Sequence, residues 1–152
     1  MTFKRLKKHT LIHGDECSGK SIIQKLLTKD SCTSHIINCR SAQSMDDHFI
    51  LEGVTVDTKQ LVFVDVSPKI DIYEFLRFTG EVRVNQRFKE PFVIDDLELI
   101  IQYDNYLWPL KNVGGSISRR FNIINTNTLT LKALARFLDV YNLKEHSKYY
   151  KP

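Results

Sequence analysis

Apolar residues recur along this chain in two rhythms, and the rhythm changes mark its elements. Thr10–His13 ("TLIH") is a short apolar run that reads as a buried strand. Ser21–Thr28 ("SIIQKLLT") carries apolar residues at 22, 23, 26 and 27, the spacing of a helix. Ser34–Cys39 ("SHIINC") reads as a second strand. Leu61–Val66 ("LVFVDV") is nearly continuous and β-branched, the mark of a central parallel strand covered on both faces. Ile70–Phe78 returns to helical spacing.

The stretch 81–94, "EVRVNQRFKEPFVI", alternates, breaks into polar residues and resumes, which predicts a hairpin or projecting loop between two short strands. Leu97–Tyr103 and Arg120–Asn125 are two more strands. Residues 130–143 form an amphipathic helix with Leu131, Leu134, Phe137 and Leu138 on one side. Strands alternating with helices predict an α/β fold around a parallel sheet. No repeat or proline-rich linker divides the chain, so residues 1–152 read as one domain. Residues 1–9 form a basic arm, and 130–152 a terminal helix and tail.

Composition narrows the class. A chain of 152 residues can bury one core without disulfides. No apolar run reaches the roughly 18 residues of a membrane span, and "MTFKRLKKHTLIHG" has no signal-peptide core. Three cysteines (Cys17, Cys32, Cys39) without CxxC spacing fit a reducing, intracellular compartment. His9 and His13 are four apart in a strand, so they make no helical metal pair. The net charge of +4 permits nucleic-acid binding without requiring it. The basic residues cluster: Lys4, Arg5, Lys7 and Lys8 at the start; Arg83, Arg87 and Lys89 in the middle; Lys144, Lys148 and Lys151 at the end.

The sharpest chemical signal is Gly14-Asp15-Glu16-Cys17-Ser18-Gly19-Lys20-Ser21, which satisfies G-x-x-x-x-G-K-[ST] between a strand and a helix. Glycines let the backbone approach an oxyanion, successive N–H groups form a nest for phosphate, and the helix N-terminus adds its dipole. Lys20 would reach the β- and γ-phosphates of ATP, and Ser21 would ligate Mg²⁺. Asp65, near the end of the apolar strand, suits a Walker B aspartate holding the same ion. Tyr106 and Trp108 are aromatic candidates either for base stacking or for packing under a loop.

Three later features follow in order: "VRVNQRFK" (82–89), "LELIIQYDN" (97–105) and "SRRFNII" (118–124). With the phosphate loop they resemble the superfamily 3 helicases of small DNA viruses, most closely the helicase domain of the parvoviral nonstructural replication protein. The resemblance covers roughly 11–124. It implies a P-loop NTPase fold of AAA+-like type, a three-layer sandwich with a central parallel sheet and a basic β-hairpin. It implies an ATP-dependent helicase of viral DNA replication, working as a ring of identical copies such as a hexamer, in the host nucleus and not at a membrane. Arg83, Arg87 and Lys89 fall on the hairpin that tracks single-stranded DNA. Asn105 falls on the motif C asparagine that senses γ-phosphate and water. Arg119, beside Arg120, falls on the arginine finger that reaches a neighbour's ATP.

The chain departs from that family in three ways. Asp65 is followed by Val66, so the second Walker B acid, the general base, is missing, and Asp71 is too far along to replace it. Asp104 precedes Asn105 where the family has a small hydroxyl residue. The chain begins almost at the phosphate-loop strand, which implies a fragment or a stand-alone relative. Two alternatives stay open: a catalytically degenerate ATP- and DNA-binding module of a larger complex, and a small P-loop nucleoside or nucleotide kinase.

Overall fold

The computed structural model describes residues 7–45, 50–107 and 114–145. Lys4, Arg5, Trp108, Lys148, Lys151 and the side chain of Lys144 lie outside them. The fold is α/β, with five parallel strands: β1 (His9–His13), β2 (Ser34–Asn38), β3 (Gln60–Val66), β6 (Glu98–Tyr103) and β7 (Phe121–Asn125). Their order across the sheet is β2-β3-β6-β1-β7. A separate antiparallel hairpin joins β4 (Val82–Val84) to β5 (Phe92–Ile94).

Helices cover the sheet unequally. On one face lie α1 (Lys20–Leu27) and α3 (Leu131–Glu145), closing over Ile12, Val62, Ile100 and Ile124. Leu134, Phe137 and Leu138 of α3 pack there as expected, but Leu131 is 87% exposed. It stands in the first turn of α3, beyond the reach of the sheet. The other face holds the larger core, in which Phe63 meets Phe75 and Phe78 at ring-centroid distances of 4.9 and 5.3 Å.

Residues 72–78 form a 3₁₀ helix instead of the expected α-helix. The sequence explains it. The buried residues Ile72, Phe75 and Phe78 are spaced by three, so a three-residue turn aligns all of them on the core while a 3.6-residue turn would drift. The Asp71 side chain accepts from the Tyr73 N–H and starts the helix. A short helix α2 (Gly115–Ser118), not foreseen from the sequence, precedes β7.

The sheet order decides what can meet. In a parallel sheet all strands end on one edge. Because β6 lies between β1 and β3, the residues after β6 emerge between those after β1 and those after β3. The hairpin rejoins the sheet at the start of β6, on the opposite edge.

Candidate functional site

The phosphate loop leaves β1 at His13 and enters α1 at Lys20. Its two glycines are needed for different reasons. At Gly14 a Cβ would lie 1.9 Å from Thr126 Oγ1 and 2.9 Å from Ser18 Oγ, so no side chain fits. At Gly19 the space is open, but φ is +95°, a left-handed conformation that disfavours any other residue. No side chain caps α1, and its first helical bond runs from Ile23 N–H to the Gly19 carbonyl. The N–H groups of the first turn therefore have no partner within the helix.

The loop is braced from β7. Thr126 N–H donates to the His13 carbonyl at 2.9 Å, Thr126 and Ser18 share a hydroxyl hydrogen bond, and Asp15 N–H donates to Asn127 Oδ1 at 2.8 Å. Lys20 is 7% exposed and curls back, donating to the carbonyls of Gly14 (2.8 Å) and Asp15 (2.6 Å). Asp15, Glu16 and Cys17 form the exposed rim. Ser21 Oγ accepts from the Gln102 amide at 3.4 Å, which ties the start of α1 to β6.

His13 closes the floor. Its Nδ1 accepts from Leu107 N–H at 3.1 Å, and its ring lies 5.1 Å from that of Tyr106. Burial, with the nearby Lys20 charge second, lowers its pKa to about 4. A neutral His13 thus pins the segment after β6 beneath the loop. Tyr106 packs in this contact.

Asp65 and Asn105 reach the same edge. The β3–β6 register shifts between Phe63 and Val66, a bulge in which Asp65 takes φ +54°. The bulge turns the Asp65 carboxylate out, where Arg40 Nη2 meets it at 3.4 Å, and turns Val66 fully into the core. Position 66 is therefore apolar for a structural reason. Asp104, which sequence reasoning noted only as a departure, sits across from it: its N–H donates to the Val66 carbonyl at 2.9 Å. Desolvation and then the Asp65 charge raise the Asp104 pKa, Lys20 opposes them, and Glu16 adds to the rise. One carboxylate thus feels the acid of β3, the loop lysine and the loop rim. The Asn105 side-chain oxygen accepts from Tyr106 N–H at 2.7 Å. Neither Arg40 nor Asp104 was legible as a partner of Asp65, because neither spacing nor composition reveals that β3 lies between β2 and β6.

The remaining candidates are not brought to this edge. Arg119 and Arg120 precede β7 and fold onto their own short helix, Arg119 Nε on the Gly115 carbonyl (3.0 Å) and Arg120 Nη1 on that of Ser116 (2.9 Å). The five residues of β7 separate them from the phosphate edge, roughly 16 Å at about 3.3 Å per residue. Arg83, Arg87 and Lys89 are exposed on the hairpin. The hairpin does not project freely: buried Gln86 donates to the carbonyls of Leu51 (2.9 Å) and Val54 (2.6 Å).

An apolar cleft of about 260 Å³ adjoins the loop, lined by Gly19, Ile22, Thr126, Leu129, Leu131 and Leu134 among others. Among the described residues no helix is long and apolar enough to cross a membrane.

No family model matches the sequence. No curated protein matches it either. Among solved structures, the A-form apo structure of the NrS-1 C-terminal region is similar, with a TM-score of 0.45 and 11% identity over 94% of this chain. The match covers 36% of that protein, so this chain spans about a third of its length.

Proposed function

We propose that this chain is a nucleoside-triphosphatase domain that couples Mg-ATP hydrolysis to movement on single-stranded nucleic acid. The observation that carries the reading is Lys20, seated within a glycine loop at a helix start, with the Asp104 carboxylate feeling both its charge and that of Asp65 on the neighbouring strand. Its ammonium satisfies itself on loop carbonyls and would turn to phosphate oxygens when they enter. The uncapped N–H groups of α1 suit the same oxygens. The apolar cleft beside Gly19 suits a nucleobase.

The donor set fits Mg²⁺, which takes few protein ligands and keeps several waters. Ser21 and Asp65 would hold it, and a bound ion would offset charge on the β- and γ-phosphates. Asp104 fills the place of the missing Walker B acid. Its carboxylate takes a proton from water, the water oxygen bonds to the γ-phosphorus, and the β–γ bridging bond breaks to release ADP. Asn105 orients that water. By the resemblance, Arg119 would act on a neighbouring copy's site in a ring, which agrees with its distance from its own loop. Arg83, Arg87 and Lys89 hold the strand by phosphate contacts. A second reading, binding of ATP and nucleic acid without turnover, draws on the Arg40–Asp65 ion pair, which occupies the carboxylate that Mg²⁺ would need.

Mg-ATP turnover with and without single-stranded DNA, beside Lys20→Ala and Asp104→Asn, separates the two. The motor reading expects DNA-stimulated turnover, lost with nucleotide binding in Lys20→Ala. It expects turnover down by about 10²–10⁴ in Asp104→Asn with affinity retained. Binding without turnover in the wild type selects the second reading, and no binding at all removes both.

A further inference from the structure

Phe88 stands at the turn of the hairpin and is 98% exposed, with φ +63°. Both features are unfavourable by themselves. A bare aromatic ring forgoes burial, and a bulky residue in the left-handed region is strained. The surroundings enforce this placement. Gln86 is buried and clamps the turn to Leu51 and Val54, and Lys89 N–H closes it on the Gln86 carbonyl at 3.3 Å. The ring is presented on a fixed support, so little conformational freedom is lost when something stacks on it.

Charge says what that partner is. Arg87 and Lys89 flank the ring and Arg83 lies on the ascending strand, while Glu90 is the one acid between 82 and 94. The other acids, Glu81, Asp95 and Asp96, sit at the open end of the hairpin, where Asp96 is paired with Lys8. The turn is thus net basic, Arg87 and Lys89 against Glu90, while the acids at the root are offset by Lys8, Lys59 and Arg83. A polyanion with flat apolar faces matches a ring flanked by cations.

We infer that Phe88 is a stacking platform for an unpaired base, with Arg87 and Lys89 on the flanking phosphates, so that the turn selects single strands over duplex. This rests on the proposed nucleic-acid role of the hairpin. Bases in a duplex have their faces covered, so only an unpaired base can lie on the ring.

The test is binding of fluorescein-labelled (dT)₂₀ and of a 20-base-pair duplex to the full chain across a salt series. Phe88→Ala should weaken (dT)₂₀ binding by about 5- to 150-fold, the range of one base–aromatic stack. It should leave the salt slope and duplex affinity unchanged, and Phe88→Trp should restore binding. Arg87→Ala with Lys89→Ala should flatten the slope by about 1.4, two phosphate contacts at about 0.7 each. Wild-type (dT)₂₀ affinity kept in Phe88→Ala, while the basic double variant loses it, overturns the stacking role alone. So does an equal loss on duplex, or a Phe88→Ala loss that tracks dissociation of oligomers in sedimentation. No binding of either nucleic acid by the wild type overturns the hairpin's proposed role as well.

Discussion

Four non-glycine residues among those described have positive φ, and they divide evenly between two edges of the molecule: Cys17 and Asp65 at the phosphate loop, Phe88 and Asp96 in the hairpin segment. Such conformations cost roughly 1–3 kcal/mol each and persist only where the surroundings over-determine them. The two edges supply that support differently. The loop and the start of α1 are held by residues of two other strands, Thr126 and Asn127 after β7 and Gln102 in β6, and His13 pins the segment after β6. The hairpin's turn is tied to the neighbouring loop by the Gln86 side chain, which reaches two carbonyls. Strain at the phosphate edge is thus locked into the sheet, and strain at the hairpin can be released without disturbing it. That division suits the proposed nucleotide site, whose geometry is built into the sheet, and the proposed nucleic-acid contact, a fixed turn that can be altered without disturbing the sheet.

The largest effect should come from trying to restore the absent acid. Val66 is fully buried, so Val66→Glu places a carboxylate in the core and should cost more than about 4 kcal/mol without raising turnover. A folded variant with faster hydrolysis would show that position 66 reaches the loop and would displace Asp104.

Protonation of His13 loosens the same edge more gently. Its pKa is lowered to about 4 from 6.5, so the unfolded chain binds the extra proton between those values. The contribution is complete above about pH 6.5 and lost as pH falls toward 4, roughly 3 kcal/mol in all. Urea midpoints for wild type and His13→Gln should therefore converge as pH falls through that window. Parallel curves would remove His13 as the cause.

Gln86→Ala should act on the hairpin alone. Losing the clamp leaves two carbonyls without their donor and costs about 1–3 kcal/mol. Hydrogen exchange should quicken in 82–94 and 50–54 while nucleotide affinity holds. A fall in nucleotide affinity of the same size would mean that the two edges are not independent.

Much of the fold was legible because periodicity reports burial directly. β1, α1, β3, β6, β7 and the hairpin strands fall within a residue or two of the apolar runs that announced them. The 3₁₀ helix was misread as α because apolar residues three apart satisfy both periods locally. The helix at 115–118 was missed because one buried residue, Ile117, gives no period at all. At the candidate site, the order of residues 14–21 and the position of Asp65 were evident from spacing alone.

By itself the sequence determined the strand–loop–helix unit, because glycine, lysine and serine at those spacings meet local backbone and charge requirements. It also determined the basic hairpin turn, because alternation broken by polar residues permits little else. Only the tertiary structure decided that Asp104 accompanies Asp65, that Val66 turns inward at a bulge, and that Arg119 stands a strand's length from its own loop. Those facts follow from strand order and register. Both are set by which apolar faces pack together across the whole chain, and no local window of sequence contains them.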